Sequence, residues 1–392
     1  MARDVVILDG ARTPIGTFLG ALSSIAPTAT GAHVAKAALE RADVAPDRIG
    51  HVVMGHVINT EPRDMYLSRV AAIEAGVPDT TPAMNVNRLC GSGAQAVVSA
   101  LQSVAMGDAD YAMAGGAEAM SRSPHAMNLR TGQKMGDAGM VDMMIGALNC
   151  PFGTGHMGVT AENVAAEHQI SREDQDAFAL ESQKRAGAAI EAGYFKDQIA
   201  PVTVKTRKGE IVVDTDEHAK PQTTAEDLAR LRPVFKKDGT VTAGNASGIN
   251  DGAAAIILAD AETAAREGKK VRAKVLGYAH AGVRPEVMGL GPIPAVSKLL
   301  ERIGLSAGDF DVIESNEAFA AQACAVNKGL GLDTAKVNPN GGAIALGHPI
   351  GATGAILVLK CLAELERTNT KRGLVTMCIG GGQGIALAFE RG

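Results

Sequence analysis

The strongest constraint on the fold is an alternation that runs twice along the chain. Short β-branched runs and Ala-rich helical stretches take turns from the N-terminus: Val5-Val6-Ile7-Leu8, Ala32 to Ala42, His51-Val52-Val53-Met54, Ala94 to Met106, Tyr111-Ala112-Met113-Ala114-Gly115. The C-terminal third repeats the scheme, with strands opening at Val271 to Leu276, Asp311-Val312-Ile313 and Leu374 to Ile379, and helices at Ala295 to Ile303 and Ala352 to Glu366. This pattern predicts βαβ units around a buried, mainly parallel sheet, and so an α/β protein. Asn85-Val86-Asn87 ahead of Cys90 is echoed by Asn338-Pro339-Asn340 ahead of His348, and each leads through glycine into an Ala-rich helix. Each of those helices precedes a strand ending in glycines, Gly115-Gly116 and Gly380-Gly381-Gly382. The echo lies in order rather than identity and predicts two duplicated halves. Between them, from about Ser121 to Lys237, the texture turns to Met- and Gly-rich loops and mixed charge, which reads as an inserted excursion; Ser171-Arg172-Glu173-Asp174 is a capping-box start for a helix running toward Ala189.

The bulk properties narrow the function classes. A chain of 392 residues, 46% hydrophobic, can bury a large core in two or three domains. Its 46 glycines show no three-residue period, which excludes a collagen-like chain. Net charge of -5 and 3% aromatics with no Trp supply neither the basic footprint nor the stacking platforms of a nucleic-acid binder. The apolar run Ala253 to Ala259 is far below a membrane span, and Val5 to Leu8 is too short for a signal-peptide core, so neither membrane insertion nor export is expected. Five cysteines form no Cys-x-x-Cys pair, and their odd number argues against a disulfide framework; a reducing, cytoplasmic setting is expected.

Two of those cysteines are set in glycine, and so is one histidine: Leu89-Cys90-Gly91-Ser92-Gly93, Gly347-His348-Pro349-Ile350-Gly351 and Met377-Cys378-Ile379-Gly380-Gly381-Gly382. Buried cysteine is ordinarily an inert small hydrophobe, and Cys324 and Cys361 are read that way; Cys150 is uninformative. Cys90 stands where an apolar segment meets a helix start, whose unpaired N–H groups favour a thiolate, which makes it a candidate nucleophile. His348, held by glycine and proline, is its candidate base, whereas the other histidines have no such setting. Cys378 can serve as a second base, removing a proton from carbon beside a thioester carbonyl, and Gly380 can offer an oxyanion-hole N–H. Asn316 either caps a turn or holds a water or carbonyl oxygen by its amide. Lys205, Arg207, Lys208, Lys220, Arg230 and Arg232 read as a solvated basic surface.

Six motifs in order, Asn87-Arg88-Leu89-Cys90-Gly91-Ser92-Gly93, His156-Met157-Gly158, Gly244-Asn245-Ala246-Ser247-Gly248, Asn316-Glu317-Ala318-Phe319-Ala320, Asn340-Gly341-Gly342 through Gly347-His348-Pro349, and Cys378-Ile379-Gly380-Gly381-Gly382, resemble the thiolase family over essentially the whole chain, and most closely its biosynthetic, short-chain or broad-specificity members. The resemblance implies the thiolase fold: two duplicated βαβαβαββ halves forming a five-layered αβαβα sandwich, with the N-terminal half at 1–120 plus about 238–268, an inserted loop domain at 121–237 and the C-terminal half at 269–392. It implies that Cys90 takes the acyl group from an acyl-CoA with His348 accepting its proton, and that Cys378 deprotonates acetyl-CoA. One oxyanion hole would be His348 with a water on Asn316, the other the N–H groups of Cys90 and Gly380. His156, Met157, Ser247, Ala243, Leu148, Met288, Ala318 and Phe319 would line the pantetheine and acyl tunnel. Lys220, Arg207 or Lys208 would meet the CoA phosphates. The resemblance also implies a homotetramer, with CoA and acyl-CoA as substrates and no cofactor or metal. A degradative 3-ketoacyl-CoA thiolase is the alternative; a ketoacyl synthase would carry a second histidine in place of Cys378, and a non-catalytic acyl-CoA binder would have lost Cys90 or His348. Ser315 stands where alanine or cysteine is more usual, which leaves the Asn316 amide intact.

Overall fold

The structure is a computed structural model and describes residues 3–392. In the N-terminal half, strands β1 (Val5–Arg12), β2 (Ile49–Gly55), β3 (Ala83–Val86) and β4 (Tyr111–Ala119) are linked by helices α1 (Pro27–Arg41), α2 (Leu67–Glu74) and α3 (Ser92–Met106). The chain then leaves the sheet, forms α4 (Met157–His168) and α5 (Arg172–Glu191), and returns as β5 (Asn250–Asp260). The second half supplies β6 (Ala273–Gly282), α6 (Pro292–Ile303), β7 (Val312–Ser315), α7 (Ala320–Leu330), α8 (Thr353–Arg367), β8 (Arg372–Ile379) and β9 (Gln383–Glu390).

Strand order makes the duplication explicit. The first sheet half runs β3-β2-β4-β5-β1, which is third, second, fourth, fifth, first; the second runs β7-β8-β9-β6, in the same sense. The missing third strand of the second half survives as a single parallel bridge of Val337 to Ile313. Pairing directions match as well: β2 is parallel to β3 and β4, and β7 to β8, while the fourth, fifth and first strands of each half are antiparallel. The sheet is therefore mixed, not mainly parallel. Its physical reason is the connection between fourth and fifth strands, which is no helical crossover: in the second half it is the tight turn Gly380-Gly381-Gly382, with Gly381 and Gly382 at φ of 82° and 89°, and in the first half residues 120–249 occupy the same place. The two half-sheets touch edge to edge where Val6 and Ile7 of β1 pair with Lys274 and Ala273 of β6.

Layers follow from which helix faces are apolar. Helices α1 and α2 cover the outer face of the first half-sheet and α6, with α7 packed beside it, that of the second, while α3 and α8 lie between the two half-sheets, giving αβαβα. Residues Leu89–Met106 are apolar enough and long enough to match a membrane span; here that composition reflects a helix walled by protein, since an all-round apolar helix is a core helix. Ala94, Val97, Val98, Ile356, Leu359 and Leu362 share one cluster with Ile256, Val375 and Ile385 from both half-sheets. The central helices cross at backbone contact: a Cβ on Gly354 would lie 2.1 Å from the amide nitrogen of Ala94, and one on Gly93 would lie 2.8 Å from that of Ala355. Only glycine permits this approach.

The excursion is tied down by a buried ion pair. Arg12, at the end of β1, donates to both carboxylate oxygens of Asp216 at 2.7 and 2.9 Å, and both side chains are fully buried. Helix α5 begins at the predicted capping box, with Ser171 Oγ accepting from the N–H of Asp174 at 3.0 Å.

Candidate active site

The start of α3 delivers Cys90. Leu89, just before it, has a φ of 44°, a left-handed conformation that costs a bulky side chain of order 1–3 kcal/mol. Ser92 holds the turn, accepting from the N–H of Arg88 at 2.9 Å and donating to the carbonyl of Leu89 at 2.6 Å. The thiol is half-buried in a cavity of about 590 Å³. Cys378, at the end of β8, is buried in the same cavity, whose lining also includes His348 and Gly380. Three segments far apart in sequence thus meet at one point.

Electrostatics reverse one expectation. Burial pushes the Cys90 thiol up to about 11; the N–H groups of Gly380 and of Cys90 itself pull the other way, and the charge of Glu118 adds to the rise. Desolvation outweighs the helix end, so Cys90 rests as a thiol rather than the thiolate its position predicts. Those same two N–H groups face its sulfur, the place where a thioester oxygen would develop charge. Burial also pushes the Cys378 thiol well up, and a negative charge on Cys90 raises it further. His348 goes down to about 4 through burial, which makes it a neutral imidazole at physiological pH.

The imidazole is held at several points. Gly347 has a φ of 106°, and a Cβ there would lie 2.5 Å from the side-chain amide of Asn250, which accepts the His348 N–H at 2.9 Å. Glu118, buried in β4, accepts from the N–H groups of Gly351 at 2.9 Å, Val57 at 3.0 Å and Ile58 at 3.1 Å, so one carboxylate pins the loop after His348. Asn316 follows β7 and is fully buried, with Nδ2 3.4 Å from His348 Nε2 and Oδ1 without a protein partner. An unpartnered buried amide oxygen marks a place for a water or a ligand atom.

Of the residues singled out for the tunnel, Leu148, His156, Met157, Ser247, Met288, Ala318 and Phe319 line the cavity. The His156 ring accepts from the N–H of Gly158 at 3.0 Å and stacks on Phe235 at 4.6 Å between centroids, and Phe235 meets Phe319 edge-on at 6.2 Å. The Gly244–Gly248 motif reaches the cavity because Asn245, fully buried, donates to Asp176 and Thr240, and because the N–H of Ser247 donates to the carbonyl of Ala318 at 3.0 Å. Ala243 and Lys220 lie elsewhere, in a neighbouring cleft of about 490 Å³ that shares Gly248 with the cavity. Arg207 and Lys208 line neither; they stand at the exposed tip of the hairpin Val202–Thr206 and Gly209–Val213. Cys361 is core, as expected, whereas Cys324 is half-buried beside another cavity. Phe235, Asn250, Glu118 and His218 went unmarked in the sequence. His218 packs so tightly on Gly248 that a Cβ there would come within 2.3 Å of its ring, and nothing in its local sequence signals that. Among the described residues no His, Cys, Asp and Glu group has the arrangement of a metal site.

Comparison with known proteins places the chain in a family. The family description "Thiolase, N-terminal domain" matches residues 5–262 and "Thiolase, C-terminal domain" residues 269–391. The chain is 61% identical over 393 residues to the beta-ketothiolase BktB of Cupriavidus necator, with all of both chains covered. It is 51% identical over 400 residues to the beta-ketoadipyl-CoA thiolase of Pseudomonas knackmussii, again with all of both covered. Among solved structures it superposes on human mitochondrial 3-ketoacyl-CoA thiolase with a TM-score of 0.97 at 44% identity, covering 100% of this chain and 99% of that one. The acetyl-CoA acetyltransferase of Syntrophomonas wolfei gives a TM-score of 0.98 at 38% identity, with all of both chains covered. Over its whole length the chain belongs to the thiolase family.

Proposed function

We propose that the protein is an acyltransferase that catalyses reversible Claisen condensation of acetyl-CoA with acetyl-CoA or a short acyl-CoA, giving a 3-ketoacyl-CoA and CoA through an acyl-Cys90 intermediate. The observation that carries this reading is the convergence of Cys90, His348 and Cys378 in one cavity, with the N–H of Gly380 on the Cys90 sulfur. With the thiol near 11 and the imidazole near 4, a thiolate–imidazolium pair is not the resting state, and the proton moves as the sulfur attacks.

Proton bookkeeping then assigns the two thiols different work. Cys90 attacks the acyl-CoA carbonyl, its proton passes to His348, and the oxyanion rests on the N–H groups of Cys90 and Gly380. The departing CoA thiolate takes the proton of Cys378 and leaves as CoA. The Cys378 thiolate so formed removes an α-proton from acetyl-CoA, whose enolate oxygen is held by the protonated His348 and a water on Asn316. The enolate carbon attacks the acyl-Cys90 carbonyl, Cys90 is expelled, and His348 returns its proton. No net proton is gained or lost. The apolar cavity suits the acyl chain and pantetheine, and the adjoining cleft with Lys220 suits the more polar part of CoA. A buried second thiol beside the nucleophile favours this over a ketoacyl synthase. Assembly as a homotetramer belongs to the same reading; its support is the exposed apolar run of Leu129, Met135, Met140 and Val141 and the half-exposed edge strand β3, and sedimentation tests it.

Labelled acetyl-CoA decides the central claim. Cys90→Ser should retain no label, while Cys378→Ala should acylate at Cys90 yet fail to exchange the α-protons of acetyl-CoA. Label held covalently by the Cys90→Ser protein would end the assignment.

A further inference from the structure

We propose that Thr353, the first residue of α8, fixes His348 in the tautomer that carries its proton on Nδ1, and so leaves Nε2 unprotonated on the cavity side. Thr353 Oγ1 lies 2.7 Å from His348 Nδ1 and 2.9 Å from the carbonyl oxygen of Pro349. The hydroxyl donates to Pro349 O, which also receives the N–H groups of Ala352 and Thr353 at 2.9 Å, and with its one proton engaged there the Thr353 oxygen accepts from Nδ1–H. On the opposite side of the ring, the side-chain amide of Asn316 stands 3.4 Å from Nε2, where its NH2 finds a lone pair once the proton is on Nδ1. The Thr353 bond thus selects the tautomer, and the Asn316 amide fits it.

The setting gives the choice weight. Thr353 is 3% exposed and His348 5% exposed, and Nδ1 faces Thr353 rather than the cavity, so no bulk water competes for it and an Nδ1–H without an acceptor is costly. Thr353 is itself held where α8 is anchored: Lys360, one helical stretch further on, donates to Glu314 of β7 at 2.8 Å and to the carbonyl of Gly341 at 2.7 Å, both buried. Asn316 lies two residues beyond Glu314. The helix that presents Thr353 and the strand that presents Asn316 are thus bound to each other, and both hold the ring between them. Thr353 is a positioning residue: it touches His348, not the substrate.

This inference rests on His348 being the base that receives the Cys90 proton, and the experiment separates the two. In wild-type protein with 15N-labelled histidine at neutral pH, the His348 resonances, assigned by their loss in His348→Asn, should show a protonated Nδ1 and an unprotonated Nε2. Thr353→Val keeps the shape and removes the hydroxyl. It should lower the acylation kcat about 10- to 100-fold with KM for acetyl-CoA changed less than about threefold, and should shift the His348 signals toward protonated Nε2. Thr353→Ser should restore kcat to within about threefold of wild type. A wild-type His348 protonated on Nε2, or a Thr353→Val enzyme that acylates within threefold of wild type, overturns the proposal. If Thr353→Val does not fold, the wild-type spectrum and the Thr353→Ser rate decide alone. Acylation at the wild-type rate in His348→Asn would instead sink the base assignment itself.

Discussion

Replacing Gly354 by alanine tests whether the reaction depends on how closely the two central helices approach. The added Cβ would stand 2.1 Å from the Ala94 nitrogen and 2.7 Å from the Ala94 Cβ, against an ordinary separation of about 3.5–4 Å between unbonded heavy atoms. Backbone nitrogen cannot swing aside, so α3 and α8 must part locally by roughly 1 Å or more. Overpacking of this kind costs about 1–3 kcal/mol, which a domain of ordinary stability survives. The chemical cost is larger. Cys90 stands two residues before α3 and His348 five residues before α8, so the displacement passes directly into the distance between nucleophile and base, where about 1 Å is worth about 100-fold in rate. Mass-spectrometric rapid quench should find acyl-enzyme forming about 100-fold more slowly while thermal unfolding moves by only a few degrees. Gly139→Ala, at a site with open space around the added carbon, should change neither. A folded Gly354→Ala protein that acylates within threefold of wild type would refute the idea that helix contact sets the geometry.

Three further outcomes follow from the same structure. Because His348 falls from an ordinary value of 6.5 to about 4 on folding, its contribution is complete above pH 6.5 and is lost as pH drops toward 4; urea unfolding should show wild type losing about 3 kcal/mol more than His348→Asn between pH 7 and pH 4, and acylation should lack an acid limb near 6.5. Asn316→Ala removes the amide beside His348 Nε2 and should lower kcat about 100-fold with little change in KM, since one oxyanion-stabilising group is worth about 100- to 1,000-fold; steady-state condensation kinetics check this. Arg12→Ala leaves Asp216 buried without its partner and should cost about 3–5 kcal/mol in denaturant unfolding, while Arg12→Lys recovers part of it.

Much of the architecture was legible because hydrophobic period is a local property. The runs ending at Leu8, Met54 and Ile379 sit in strands, and the Ala-rich stretches from Ala94 and from Ala352 are the two central helices. Strand direction was not legible: whether Ala253 to Ala259 pairs parallel or antiparallel with its neighbours depends on a connection of some 130 residues in one half and three in the other, and the run itself carries no mark of either. In the site, glycine around Cys90, His348 and Cys378 betrayed places where backbone comes close, which a sequence displays openly. The protonation of Cys90 did not show, because the helix start is local whereas desolvation is imposed by segments hundreds of residues away. Thr353, Asn250 and Glu118 are unremarkable residues in unremarkable settings, and their parts are defined only by what folding lays against them. The basic side chains were the least readable: a lysine's reach is decided by which loop carries it, and Lys220 and Arg207, close in sequence, end in different places.

The duplicated design has a mechanical corollary. One repeat brings Cys90 and the other brings His348 and Cys378, so the proposed chemistry takes place on a seam and neither lobe owns it. Slippage along that seam would silence turnover while leaving every strand and helix in place, and circular dichroism would register nothing. A ligand held by both lobes favours their joined state, so acyl-CoA should raise the melting temperature and slow proteolysis of the whole chain.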